Sequence, residues 1–242
     1  MRNRLIIAGA ACVAAVALAG GGAYVYFFSG LRSAPSALGL SGTPRAAATG
    51  TPTATTTGSL VGMWTVTTGS LAGYRVKELF VGQTSKHEAV ARTSTVSGGL
   101  TVGGDPSAYQ VSGITITAAL TDLHSVDTVA GRDVSQRDGF VSRQMNLQQF
   151  PNATFTASSV TVTGAASGQP VDVSLPGTLT IHGVTKNVTA TAQAQLAGGK
   201  VEVAGSVAID MTDYGVTPPS VPFTTVDSQV TIEFQIFLAK TA

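Results

Sequence analysis

From about Leu60 onward, apolar and polar side chains alternate with a period of two. The clearest run is Val230, Ile232, Phe234, Ile236 and Leu238, with Thr231, Glu233 and Gln235 among the intervening residues. Similar runs occur at Val201, Val203, Val207 and Ile209, at Val188, Ala190, Ala192, Ala194 and Leu196, and at Ile114, Ile116, Ala118 and Leu120. Successive side chains of a strand point to opposite faces, so this period marks strands with one buried face. Gly98-Gly99, Gly103-Gly104, Gly198-Gly199 and Pro218-Pro219 punctuate the runs. Helical periodicity is confined to Asp138 through Leu147, in the longest connection between strand-like runs. The pattern predicts an all-β domain over 60–242, with eight or more antiparallel strands and one short helix. Either a closed barrel or a sandwich manages the edges of so much sheet.

Two of the rows that would face inward are small. Ala89, Ala91 and Thr93 form one, and Ala190, Ala192 and Ala194 the other. A solid core needs larger side chains to reach native packing density. The rows therefore leave a lumen, unless larger residues opposite them fill the space.

Ahead of this domain the texture differs. Leu5 to Phe28 is a run of 24 residues without a charge. At about 1.5 Å rise per residue, a helix of that length crosses the roughly 30 Å hydrocarbon core of a bilayer. Arg2 and Arg4 precede it, which places the N-terminus in the cytoplasm and the rest outside. Residues 1–28 thus read as a membrane anchor. The alternative is secretion after signal cleavage near Ala19, since Ala17-Leu18-Ala19 has the small-x-small pattern of a peptidase site. Residues 29–59 are dominated by Ser, Thr, Ala, Pro and Gly without periodicity, and read as a flexible linker.

Charge narrows the function. Net charge is +1, and only 11% of residues are charged. The four basic residues before position 60 (Arg2, Arg4, Arg32, Arg45) leave ten Lys and Arg against 13 acids in the remainder. Such a surface does not attract a phosphate backbone, so no nucleic-acid partner is expected. The one cysteine, Cys12, lies in the apolar run and excludes a disulfide framework within the chain. His87, His124 and His182 fall in separate segments without metal-ligand spacing, and neither a nucleophile elbow nor a phosphate loop occurs. Asp210 and Asp213 flank Met211-Thr212, where a polar turn is the simplest reading. The residues nominate no catalytic group, no metal site and no cofactor.

Two longer motifs are more specific. "RDGFVSRQMNLQQFPNATF", Arg137 to Phe155, and "GTLTIHGVTKNVT", Gly177 to Thr189, resemble the Arg-Asp helix with its Pro-x-Ala-Thr-Phe sequel and the Gly-x-Leu-Thr-Ile hairpin of the YceI-like family. "WTV" at Trp64, "ALTDL" and "IDMTDYGV" follow the same order, and the resemblance covers Leu60 to Lys240. It departs in three places: "GYRVKELFVG" replaces the more usual Val-x-Phe-x-Val-x-His strand, "VARTSTVSG" replaces the Gly-x-Phe that often follows, and the Arg-Asp to Pro spacing is slightly shorter than in many members.

The resemblance implies an extended antiparallel, lipocalin-like barrel whose lumen takes an isoprenoid quinone, a polyprenyl chain or another long lipid as ligand. That function is binding, sequestration or transport without catalysis. The barrel would sit outside the cytoplasmic membrane, a single-pass protein held through its N-terminal helix. Trp64, Phe80, Leu120, Phe155, Leu179, Ile181, Phe234 and Ile236 are the wall candidates. Arg137, Asp138 and Arg143 are the candidates for a head group at the mouth, with a network that caps the helix as the competing role for Arg137 and Asp138. His182 is expected in a solvated hairpin turn. The alternative function is a structural or interaction module, the same barrel filled by its own side chains.

Overall fold

The computed structural model describes residues 32–42, 59–129, 131–165, 169–197 and 199–241. Its strands are β1 (Arg32–Ser33), β2 (Gly62–Val66), β3 (Leu71–Phe80), β4 (His87–Thr93), β5 (Val96–Asp105), β6 (Ala108–Ala119), β7 (His124–Ser125) and β8 (Thr128–Val129). Helix α1 (Ser135–Gln144) follows, and then β9 (Asn152–Val162), β10 (Val171–Ile181), β11 (Val184–Ala197), β12 (Lys200–Asp210), β13 (Ser220–Val221) and β14 (Thr224–Lys240). The anchor expected over residues 1–28 lies outside the described residues. Among the described residues, no helix is long and apolar enough to cross a membrane.

The sheet closes on itself. The long strand β14 pairs with β12 along one edge and with β3 and then β2 along the other, so β2 and β3 act as one stave broken at 67–70. β4 pairs with β3 and β5 with β2, which makes β4 and β5 the second stave. β6, β9, β10, β11 and β12 complete the ring, each antiparallel to the next. The result is an eight-stranded up-and-down barrel. Closure removes the open edges that a sandwich of these strands would keep.

The helix begins three residues before the stretch that periodicity marks and ends three residues sooner. At its start, Asp133 Oδ1 accepts from the Ser135 amide at 3.0 Å and the Ser135 hydroxyl at 2.6 Å. At its end, Asn146 takes φ 45°, in the left-handed region that asparagine tolerates. The amides of Asn146 and Leu147 donate back to the carbonyls of Arg143 and Ser142, each at 3.1 Å. This is the paired closure of a Schellman motif, and buried Leu147 anchors it.

The β10–β11 hairpin turns through His182 (φ 54°) and Gly183 (φ 75°), as a two-residue turn with both φ positive demands. A Cβ at Gly183 would lie 2.6 Å from the Phe150 ring. His182 is not merely solvated. Its Nδ1 lies 3.1 Å from the Tyr214 carbonyl oxygen, and its ring meets Phe150 edge-on at 5.1 Å between centroids.

The barrel interior divides into two halves. At the end that carries the β5–β6 and β11–β12 hairpins, Leu60, Trp64, Val102, Tyr109, Ile236 and Leu238 form a buried cluster. Leu100, Ile116, Val201, Val203 and Phe234 pack against it. Trp64 is 3% exposed, and its indole N–H donates to the Leu60 carbonyl at 2.8 Å. The opposite end, beneath α1, holds a cavity.

Part of the expected linker is docked. Arg75 and Arg92 alternate with inward-facing residues, so they lie on the outer wall, where both grip Glu233, at 2.6 and 2.8 Å. Arg75 Nη2 and Arg92 Nη2 donate to the carbonyls of Pro35 and Ser36, and Glu233 accepts from the Leu38 amide at 3.1 Å. Further along, Glu202 accepts from the Ser41 amide at 2.7 Å and its hydroxyl at 2.8 Å. Glu233 and Glu202 are 1% and 2% exposed, so this strap covers charges that would otherwise face water. Its own composition predicts disorder because it buries little apolar area. The barrel's charged side chains hold its backbone instead.

Candidate functional site

The cavity occupies about 640 Å³. Period two explains its wall: Tyr74, Val76, Glu78 and Phe80 of β3, with Val226, Val230 and Ile232 of β14, all point inward. Between them Ala72, Ala89, Ala118 and Ala153 contribute almost no volume, and so the space stays open. Phe140, Val141 and Gln144 of α1 cover the mouth together with Arg132 and Phe223. The Arg132 guanidinium carbon lies 4.3 Å from the Phe80 ring centroid. A second depression, about 790 Å³, is shallow and lies on the outer surface around Thr156, Thr178 and Thr189. It is open to solvent.

The two small rows behave differently. Ala89 and Thr93 border the cavity, and Ala91 between them is 1% exposed. Ala190, Ala192 and Ala194 instead stand opposite Leu175, Val173 and Val171 across the β10–β11 ladder, and none borders the cavity. Larger partners compensate this second row.

A charged network closes one side of the mouth. Arg137 donates to Asp127 Oδ1 and to Glu78 Oε1, each at 2.7 Å, and to the Ser125 hydroxyl at 3.1 Å. His87 Nε2 lies 2.7 Å from Asp127 Oδ2, and the Val90 amide donates to Asp127 Oδ1 at 3.0 Å. Burial alone would push the Asp127 carboxyl up, but the bonds from His87, Arg137 and Val90 outweigh it and hold the group well below the ordinary carboxylate range. Glu78 moves the other way: burial dominates and raises its pKa, although Arg137 and His87 oppose the rise. The donor atoms of Glu78, His87 and Asp127 lie within 4.8 Å of one another, a grouping that can hold a metal ion. Here the Arg137 guanidinium already bonds both carboxylates and supplies the compensating charge.

Among the described residues, one polar side-chain group at the cavity has no hydrogen-bond partner. Tyr214 borders it, is 2% exposed, and its buried hydroxyl makes no hydrogen bond. Burial, reinforced by the neighbouring Asp213 charge, pushes the phenol up, so it remains a neutral donor. An unpaired buried hydroxyl is costly, and a ligand oxygen would satisfy it.

The residues nominated from sequence are distributed as follows. Phe80, Leu120 and Ile181 border the cavity. Phe155 and Leu179 belong to the adjoining cluster with Ile181, Tyr214 and Val216, but do not border it. Trp64, Phe234 and Ile236 lie in the packed end, because they share the inward face at the opposite end of the bore. Arg137 and Arg143 border the mouth, but the Arg137 guanidinium is committed to Asp127 and Glu78. Asp138 accepts from the Ser125 amide at 3.0 Å and its hydroxyl at 2.7 Å, which ties α1 to β7. Arg137 and Asp138 thus tie α1 to the barrel without capping it, and Arg143 stands exposed beside the opening. Asp210 bonds Thr212, Ser228 and Gln229, the polar turn its position suggests.

A family model described as the YceI-like domain matches residues 64–238. The chain belongs to the YceI-like family. Among solved structures, a polyisoprenoid binding domain from Saccharophagus degradans implicated in plant cell wall breakdown superposes with a TM-score of 0.50 at 18% identity, covering 75% of this chain and 99% of that one. Burkholderia cenocepacia BcnA gives 0.44 at 18% identity over 68% of this chain and 95% of its own. The Campylobacter jejuni YCEI protein gives 0.43 at 15%, over 68% and 88%. No curated protein matches the chain. At 18% identity the first of these superpositions speaks to the fold alone, and the family match rests on residues 64–238.

Sequence reasoning set His87 aside for want of metal-ligand spacing and overlooked Glu78, Asp127 and Tyr214. A signal existed for two of them: Glu78 and His87 occupy inward phases of β3 and β4, where period two calls for apolar residues. Asp127 follows a two-residue strand and carries no local signature. Tyr214 lies within "IDMTDYGV", but only the tertiary structure turns it toward the cavity.

Proposed function

We propose that this protein binds a long-chain isoprenoid, either a quinone or a polyprenyl lipid, or a related lipid, and that it does so without catalysis. It acts outside the cytoplasmic membrane, to which its N-terminal segment tethers it. The observation that carries this reading is the covered apolar cavity of about 640 Å³, roomy because alanines line it. Cavities of roughly 300–1,000 Å³ enclose small ligands, and an apolar wall with one or two convergent polar groups is their usual form.

The volume sets a length. At a liquid volume of about 30 Å³ per water-sized group, the cavity takes roughly 20 methylene-sized groups, or about four isoprene units. Burying that many groups at about 0.8 kcal/mol each gives a gross gain near 16 kcal/mol, before the cost of ordering the tail. A longer tail must leave its remainder at the mouth, since Trp64, Ile236 and Leu238 fill the bore beyond. The Tyr214 hydroxyl gives a ligand carbonyl or hydroxyl one fixed partner. The Saccharophagus degradans neighbour is itself described as a polyisoprenoid binding domain, which agrees with this reading. The alternative of a filled barrel fits only the packed half.

The test is thermal unfolding of delipidated protein with and without menaquinone. A ligand that prefers the folded state raises the midpoint in proportion to RT ln(1 + [L]/Kd). The expected result is a rise that saturates with menaquinone and is absent with a water-soluble quinone head group lacking the tail. An unchanged midpoint at saturating menaquinone would overturn the reading.

A further inference from the structure

The strap meets the barrel beside its mouth. β1 pairs with β8, Arg32 opposite Val129 and Ser33 opposite Thr128. Two residues beyond Val129 the chain reaches the wall of the opening at Gly131, Arg132 and Asp133. Only Ser29, Gly30 and Leu31 separate Arg32 from Phe28, the last residue of the expected anchor. Four Cα steps span at most about 14 Å. Roughly 5–8 Å of that is taken up by the headgroup layer. The chain is thus fastened to the barrel beside the mouth almost as soon as it leaves the apolar segment, and 33–41 run away from that point along the outer wall.

A second feature marks the same end. Val81, Phe140 and Phe223 are 70%, 36% and 56% exposed, and they are three of the five large apolar side chains exposed among the described residues. Phe140 and Phe223 border the opening, and Val81 is joined to Phe223 by an amide-to-carbonyl bond of 3.0 Å. Basic Arg132 and Arg143 stand at the same rim, with acidic Asp133 bonded to Ser135. Apolar tips ringed by arginines suit the boundary between headgroups and acyl chains of an anionic bilayer. The other two exposed side chains, Val61 and Met63, lie at the packed end.

We propose that the strap holds the open end of the barrel against the membrane surface, with Val81, Phe140 and Phe223 at the lipid boundary. A tail can then pass from the bilayer into the cavity without crossing water. This rests on the reading of Leu5–Phe28 as a membrane-spanning segment and of the domain as extracytoplasmic. It differs from a stalked display, in which a long spacer would let the barrel tumble freely.

The test uses the full chain with Cys12→Ser, reconstituted in vesicles of phosphatidylcholine and phosphatidylglycerol in equal parts. A nitroxide is attached through Val81→Cys, through Phe223→Cys as a second mouth position, or through Met63→Cys as an equally exposed control at the far end. Relaxation by molecular oxygen is compared with relaxation by a water-soluble nickel chelate. The expected result is several-fold greater relative accessibility to oxygen at 81 and 223 than at 63. Mouth labels as open to nickel as the label at 63, or a chain that stays out of the vesicle fraction, would overturn the proposal. Menaquinone-dependent unfolding measured on the same variants separates the two ideas. A quinone shift with water-facing mouth labels sinks the apposition alone, and lipid-facing labels without a quinone shift sink the lipid reading alone.

Discussion

Replacing Tyr214 with phenylalanine is expected to stabilise the lipid-free protein and to weaken its hold on a quinone. The two effects have opposite signs for one reason. In the free cavity the phenol hydroxyl is buried without a partner, and leaving such a group unsatisfied costs about 1–3 kcal/mol. Tyr214→Phe removes that cost and keeps the ring, which packs against Leu179, Ile181 and Val216. For a domain of this size, about 1 kcal/mol moves the midpoint by roughly 2–4 °C, so delipidated Tyr214→Phe is expected to melt at least about 2 °C above the parent. With menaquinone the balance reverses. The quinone oxygen loses its donor, a net hydrogen bond of about 1 kcal/mol, and Kd rises about five-fold. Differential scanning calorimetry of delipidated protein, followed by a menaquinone titration of both forms, reads the two quantities independently. A variant that melts below the parent when lipid-free and binds menaquinone equally well would show that the hydroxyl is neither unsatisfied nor a ligand contact.

Three further outcomes follow from the same geometry. Arg137→Met leaves Glu78 and Asp127 buried without their cation, and is expected to cost about 3–5 kcal/mol at neutral pH by chemical denaturation. Its pH dependence is the sharper check. The depressed Asp127 pKa stabilises the parent above about pH 4, and that contribution fades as pH falls through the lower folded value. Arg137→Met is expected to gain more stability than the parent on acidification from neutrality, because both carboxyls lose the guanidinium and take up protons more readily, whereas the parent gains only through its raised Glu78; a variant whose stability follows the parent's at every pH would contradict the network. Ala89→Leu, at a position 0% exposed on the cavity wall, is expected to cut menaquinone affinity at least about ten-fold while costing about 1–3 kcal/mol through overpacking, measured by titration alongside unfolding. Glu233→Ala removes the acceptor shared by Arg75, Arg92 and the Leu38 amide, and is expected to open residues 33–41 to limited proteolysis well before the barrel unfolds. Equal cleavage rates in both forms would show that the strap does not depend on this acid.

Much of the barrel is legible in the alternation. The runs at 201–209 and 230–238 become β12 and β14, and they pair in the register that keeps Val203 opposite Ile236 and Val207 opposite Ile232. Closure is not legible there, because period two fixes which face is buried and not which strand is the neighbour. Only the motifs from Arg137 to Phe155 and from Gly177 to Thr189 point to a barrel, by resemblance. The cavity is half legible: Ala89 marks it, yet the alanines of β11 carry the same signature and lie beside larger partners. Period two also cannot place an inward residue along the bore, which is why Trp64 and Ile236 lie in the packed end while Phe80 and Ile181 reach the cavity. The strap eludes composition altogether, since its anchors, Arg75, Arg92, Glu202 and Glu233, come from strands far along the chain. Arg75 and Arg92 both fall in the stretches where the sequence departs from the usual family pattern.

The central claim, that the alanine-lined end of the barrel houses an isoprenoid tail, is tested most directly by extracting lipid from full-length protein purified from its native membrane and identifying it by mass spectrometry. A prenylated lipid near one equivalent per chain, strongly depleted from Ala89→Leu purified in parallel, is the predicted result. Recovery of no prenylated lipid above background, or equal recovery from the parent and Ala89→Leu, would contradict it.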